Sequence, residues 1–251
     1  MKLMNKDLIL GLKFAFSYFS IIPIKFDNSV DLSKKEIINY LMFFLPLVGA
    51  VLSLGACISF YFLEDLSYLG AIICAFLYMM FYGFIHTEAI LDVVDALYAK
   101  HSGKDAYEVI KEPTIGAMGF LYALGFVCIK VAALVMLFLN QMYLEIIAIA
   151  IISRVSVQFM TKTNEFKSSF VGLMKNSFTS FKTAFALYFI VCLVLIGFKA
   201  FTLFFIALVF TFLFSLFLEK NLGFLNGDTL GFNLELTEIV LFITVCLFWL
   251  N

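Results

Sequence analysis

Four ionisable side chains close a long apolar run: His86, Glu88, Asp92 and Asp95, in the stretch G-F-I-H-T-E-A-I-L-D-V-V-D-A-L. At 3.6 residues per turn, Glu88, Asp92 and Asp95 (i, i+4, i+7) fall on one stripe of a helix. Like charges at that spacing repel, and each costs roughly 3 kcal/mol at a bilayer centre, so the stripe calls for a cation, usually a metal ion. A helix end emerging into water explains any one of them as a solvated acid; three together favour the metal. A second acidic group lies in G-F-L-N-G-D-T-L-G-F-N-L-E-L-T-E, residues 223–238. There Gly227-Asp228-Thr229 sets a carboxylate and a hydroxyl at the mouth of the last apolar run, and Glu235 and Glu238 (i, i+3) share one face of it. Asp228 also reads as an N-cap with Thr229 in the first turn, but a cap leaves Glu235 and Glu238 unexplained. Two acidic stripes opening to one side can converge on Mg²⁺, which favours oxygen ligands and commonly binds carboxylates together with substrate phosphates.

The elements that must carry these acids are membrane helices. The 251-residue chain is 63% hydrophobic and 14% charged, with 33 Phe, and its mean hydropathy is +1.04. That composition excludes a soluble domain and describes an all-α polytopic membrane protein. Apolar windows predict seven spans near 39–62, 68–91, 116–139, 142–160, 182–198, 200–218 and 232–250. The segment 8–24 is shorter, is interrupted by Lys13, and reads as an interfacial or re-entrant helix ended by Pro23. Its flanks carry no small-residue cleavage site, so a removable signal peptide is not expected. The five cysteines stand singly in apolar runs and read as small buried hydrophobes.

Basic residues fall on alternate connections. Lys2, Lys6, Lys13, Lys25, Lys34 and Lys35 precede the first span, and further lysines occupy the loops 92–115, 161–181 and 219–231. The other connections hold almost none, so the N-terminus and these three loops are expected in the cytoplasm and the C-terminus outside. One membrane domain, 1–251, covers the chain, with no nucleic-acid signature. Within loop 92–115 the basic candidates are Lys100 and Lys111. Gly116 and Gly119 follow, glycines that let backbone approach a phosphate or let a helix pack closely. Lys130 and Arg154 are the costly charges inside spans, with three readings: pairing with the acids, holding phosphate, or snorkelling. His86 lies off the acid stripe, where a structural hydrogen-bonding role is favoured over that of a metal ligand.

No G-x-x-x-x-G-K-[ST] loop and no nucleophile elbow occur. Acids beside basic loops at one membrane face therefore point to metal-assisted phosphoryl or nucleotidyl-type transfer, in which Mg²⁺ neutralises a diphosphate leaving group. A proton- or cation-coupled transporter is the competing class, but it needs acids near mid-span.

The ordered set H-x-[DE]-x3-D-x2-D, then x-x-x-x-G-x-x-G, then G-D-T-L-G-x3-E-x2-E resembles the cobalamin synthase family, the adenosylcobinamide-GDP ribazoletransferases. The similarity extends through Phe44–Gly49 (F-L-P-L-V-G), the I-S-R of 152–154 and the N-terminal F-S-I-I-P. The resemblance implies transfer of the cobinamide phosphate moiety from adenosylcobinamide-GDP to α-ribazole or its 5′-phosphate, with release of GMP, at the bacterial inner membrane with Mg²⁺. The residues themselves point to Asp92 and Asp95 as core metal ligands, with Glu88 flanking and Asp228 completing the site, and to Glu235 or Glu238, partly desolvated in the last span, as a general base, with His86 in the catalytic set. Lys100, Lys111, Gly116, Gly119, Arg154, Gly227 and Thr229 are then expected to bind substrate. A homo-oligomer or a complex with other B12-assembly enzymes is the associated partner expectation. The chain departs from the family pattern at Glu88-Ala89, where the family has Asp-Gly, at Ala96 for Gly, and at Glu112–Gly116, which lacks the family's Arg. The N-terminal family Arg before Pro is also absent, with Ile21 at that place. A CDP-alcohol phosphotransferase is the second enzyme reading, though its D-G-x-x-A-R pattern lacks the Arg here.

Overall fold

The computed structural model describes residues 2–112 and 114–250, with side chains from residue 6 onward; the Lys2 side chain and Pro113 lie outside the described residues. Eleven α-helices and one short 3₁₀ turn make up the regular structure, with no strand among the described residues. They are α1 (Lys2–Phe19), α2 (Lys35–Leu63), α3 (Tyr68–Phe81), α4 (Ile85–His101), α5 (Ala106–Val109) and α6 (Ala117–Leu139). There follow α7 (Tyr143–Thr163), α8 (Ser169–Ser177), α9 (Phe181–Ile196), α10 (Lys199–Leu222) and α11 (Gly227–Trp249).

Five of these, α2, α6, α7, α10 and α11, are long and apolar enough to cross a membrane unaided. The pairs α3–α4 and α8–α9 pass the same test only jointly, each bent, by 78° and 81°. Seven spans result if each pair counts once, and the chain is a multi-pass membrane protein. Two expectations need correction. The span expected at 68–91 is broken at residues 82–84, and α4 carries helix through to His101, into the expected loop. The loop 161–181 likewise contains α8, whose Ser168 side chain accepts from the Val171 N–H as an N-cap. In the first case Gly83 and Phe84 both adopt left-handed backbone, at φ 65° and 56°, which a continuous helix excludes.

Enclosure is uneven. α7 and α11 form the buried centre, while α6 and α10 turn large apolar side chains outward, among them Leu121, Phe205 and Phe212. Outward apolar faces are what lipid-exposed helices require. Tight approach of α2 to α7 depends on Gly49, where a Cβ would collide with the Ala150 carbonyl and the Arg154 side chain.

α2 also contains Pro46. A proline has no N–H for the carbonyl four residues back, which leaves the Met42 oxygen without its helical partner. Gln158 on α7, fully buried, donates its side-chain amide to that oxygen at 2.6 Å. In a bilayer an unmet backbone carbonyl is costly, so a side chain of one helix repairs the gap in another.

At one end of the bundle the connections are tied together. Lys167 N–H donates to the Leu225 carbonyl at 2.7 Å, and the Tyr107 hydroxyl donates to the Lys167 carbonyl at 3.4 Å. Lys34 pairs with Asp7 at 2.6 Å, and Asn39 accepts from the Thr179 and Ser180 N–H groups. The segments bearing the polar motifs thus share one end, and Glu145 pairs with Lys199 at 2.8 Å at the other.

Candidate functional site

The broken α3–α4 segment places the first acids. Its two left-handed residues cost about 1 kcal/mol or more at Phe84, so something must hold the bend. Glu235 on α11 does so from both sides. Its carboxylate accepts from the Tyr82 hydroxyl, before the break, at 3.1 Å, and from the Thr87 hydroxyl, after it, at 3.3 Å.

Glu235 belongs to a closed ionic network. Lys130 of α6 lies 2.9 Å from Glu235 and 2.6 Å from Glu238, and also donates to the Tyr82 hydroxyl at 3.1 Å. Arg154 of α7 pairs with Glu238, which accepts further from Tyr78 at 2.6 Å and Ser153 at 3.2 Å. The four charges cancel, and each is at most 2% exposed. Charge neutrality is what lets these buried ions be tolerated, because removing one partner leaves an uncompensated charge.

This geometry runs against two expectations. Glu235 and Glu238 are not among the residues lining the cavity described below and are already engaged by cations and hydroxyls, which argues against a general-base role. Arg154 faces Glu238 and the Tyr78 hydroxyl instead of a phosphate site. Pairing with the acids is the reading of Lys130 and Arg154 that the structure takes.

Asp95 also has a different place. Its two oxygens accept from Gly116 N–H at 2.6 Å and Gly119 N–H at 2.7 Å, so a carboxylate on α4 caps the first turn of α6. A Cβ on either glycine would run into that carboxylate, which explains the glycines. Neither is free for a phosphate. Thr229 has a comparable structural role: Asn226, not Asp228, caps α11, accepting from the Thr229 N–H at 3.1 Å while the Thr229 hydroxyl accepts from the Asn226 N–H at 2.9 Å. An Asn three residues before a Thr is the sequence signal for this box, and the adjacent Asp228 offers a competing cap.

What remains is a smaller acidic set around a cavity of about 410 Å³. Glu88 and His86 of α4 line it from one side, and Gly227 and Asp228 of α11 from the other. Close approach of the two helices rests on Gly231, whose Cβ would lie 2.7 Å from that of Ala89. Asp92, one turn beyond Glu88, is half-buried, and the negative charges that act on it are those of Asp228, Glu88 and Asp95. Asn226 donates to Asp228 at 2.7 Å. Among the described residues, Glu88, Asp92 and Asp228 form no ion pair with any basic side chain.

The rest of the cavity is apolar. Tyr18 and Phe19 end α1 against it, Met42 and Leu45 come from α2, and Phe170 and Met174 from α8. Burial, then the Asp228 charge, pushes the Tyr18 phenol above its ordinary range, which keeps it a neutral donor at the rim. The lysines expected at the substrate are elsewhere. Lys111 pairs with Glu108 at 3.0 Å and lies over the Tyr107 ring, as does Lys167, while Lys100 lies beside Gly223.

No three His, Cys, Asp or Glu side chains among the described residues converge as a ready-made metal cage. Mg²⁺ does not require one, since it is commonly held by one or two carboxylates with water and substrate phosphates. The unpaired, all-oxygen set of Glu88, Asp92 and Asp228 fits that mode, and Asp95, committed to backbone N–H groups, fits it less well.

Comparison with known proteins extends over nearly the whole chain. The family model described as Cobalamin-5-phosphate synthase matches residues 11–246. The chain is 26% identical over 249 residues to the adenosylcobinamide-GDP ribazoletransferase of Thermoanaerobacter pseudethanolicus, covering 93% of this chain and 96% of that one. It is 26% identical over 245 residues to the protein of that name from Brevibacillus brevis, covering 94% and 98%. A third protein of that name, from Clostridium botulinum strain Langeland, is 27% identical over 250 residues, covering 95% and 96%. No solved structure matches.

Proposed function

Because this chain belongs to the Cobalamin-5-phosphate synthase family, we propose that it transfers the cobinamide phosphate moiety of adenosylcobinamide-GDP to α-ribazole or its 5′-phosphate, releasing GMP. The observation that carries the reading to this site is the meeting of Glu88 and Asp228, from two different helices, at the edge of one cavity. In the reaction a ribose hydroxyl of the acceptor attacks the cobinamide-bound phosphorus, a new P–O bond forms, and the bond to GMP breaks. A bound Mg²⁺ would supply charge neutralisation for the diphosphate and the departing GMP.

The chain's own groups divide the remaining work. Glu88, Asp92 and Asp228 would hold the cation that neutralises the donor diphosphate. His86, the one catalytic candidate that lines the cavity, takes the proton from the attacking hydroxyl. The α4–α11 contact at Ala89 and Gly231 fixes the distance between the acids, and the Glu235 clamp on Tyr82 and Thr87 fixes the direction of α4. The site lies at the end of the bundle that we place in the cytoplasm with the N-terminus, in the inner membrane.

The test is GMP release from adenosylcobinamide-GDP by membranes carrying the chain, with α-ribazole as acceptor. Asp92→Asn should lower turnover by about a hundredfold or more at normal protein abundance, and Asp228→Asn should raise the Mg²⁺ concentration needed for half-maximal rate. Absence of GMP release by the unaltered chain, with turnover of a CDP-lipid donor instead, would replace this activity with a phospholipid-type transfer.

A further inference from the structure

The acids occupy one edge of the cavity; its remaining walls have a chemistry of their own. Resting on the activity above, we propose that this apolar chamber between α1, α2, α7 and α8 is the subsite for the fused aromatic base of the acceptor. Tyr18 and Phe170, with ring centroids 5.3 Å apart and planes inclined by 42°, form a bent aromatic shelf against which a flat bicyclic ring can pack. Leu45 and Val157 line it from α2 and α7, and Met42 and Met174, whose unbranched side chains adapt to irregular shapes, add further apolar surface. The polar side chains of the lining are His86, Glu88 and Asp228, on α4 and α11, with the Tyr18 hydroxyl within range of the Asp228 charge.

That division decides among the flat moieties the reaction brings. A guanine ring carries donors and acceptors around its rim, and an apolar wall leaves them unpaired at a cost. The corrinoid macrocycle carries side-chain amides, which meet the same objection. A dimethylated benzimidazole has an apolar outer edge and loses little by entering. With its base on the Tyr18–Phe170 shelf, the attached ribose projects toward Glu88 and Asp228, which brings a hydroxyl to the diphosphate.

α8 makes the chamber selective. It is a nine-residue helix bent 81° from α9, and Phe170, Val171 and Met174 are the residues it turns to the cavity. Removing the Phe170 ring takes away half of the shelf without touching the acids, and a bulky residue at Val157, on the opposite helix, fills the space the base would take.

Two variants, Val157→Trp and Phe170→Ala, test the assignment through separate KM values for α-ribazole and for adenosylcobinamide-GDP. In both, the KM for α-ribazole should rise about tenfold or more while the donor KM stays within about twofold. Phe170→Ala should also narrow the preference for the benzimidazole riboside over a purine riboside. A rise in donor KM alone would assign the chamber to guanine, and unchanged KM values for both would remove it from the substrate path. A thermal-shift measurement with α-ribazole and no donor reads binding without turnover. The unaltered chain should be stabilised and Phe170→Ala much less so; equal stabilisation would overturn the assignment. Because this readout needs no catalysis, an inactive parent that still binds α-ribazole would discredit the transfer reaction while leaving the subsite in place.

Discussion

Replacing Glu238 by Gln should damage the fold before it damages the chemistry. The side chain keeps its shape but loses the charge that Lys130, 2.6 Å away, and Arg154 compensate. Two cations at most 2% exposed are then left with Glu235 alone, a net buried charge of one. Breaking a buried pair from one side costs about 3–5 kcal/mol. At about 2–4 °C per kcal/mol for a chain of this size, the melting temperature falls by roughly 6–20 °C. Adding Arg154→Met removes the orphaned cation and leaves Lys130 paired with Glu235 at 2.9 Å. The double variant should therefore recover at least half of the loss, a coupling of about 1.5 kcal/mol or more. Melting of detergent-purified protein, followed by size-exclusion recovery, measures all four members of the cycle. If Glu238→Gln melts within about 2 °C of the parent yet turnover falls a hundredfold, the carboxylate acts on substrate and the structural account is wrong. Additive losses in the double variant would refute the ionic coupling itself.

Gln158→Leu should cost about 1–3 kcal/mol by stranding the Met42 carbonyl, but about 1 kcal/mol less in a Pro46→Ala background, where the helix supplies its own N–H; equal costs in both backgrounds, read by the same melting assay, would count against the repair. In a chain first freed of its native cysteines, Cys at Lys104 or Lys167 should react only with reagents that reach the cytoplasm, and Cys at Asp65 only from outside. Labelling of positions 104 and 167 from opposite faces would contradict the shared end seen in the hydrogen bonds linking the 107, 167 and 225 segments.

The all-α class and most of the spans were legible because a bilayer imposes a length and a composition on any helix that crosses it. The acid stripe was legible in the same way: spacing places Glu88, Asp92 and Asp95 on one face whatever they meet. What each meets was not. Asp95 is claimed by N–H groups 21 and 24 residues downstream, and nothing in its own helix separates it from Asp92. Glu235 and Glu238 share a face as expected, but whether that face opens on substrate or on Lys130 and Arg154 depends on where α6 and α7 pack. The break at Gly83–Phe84 hid in an apolar run because hydropathy is blind to backbone handedness. Gln158 and Pro46, like the aromatic shelf of Tyr18 and Phe170, are pairs from distant segments. Periodicity sets the face each side chain occupies; only the packing of one helix on another sets its partner.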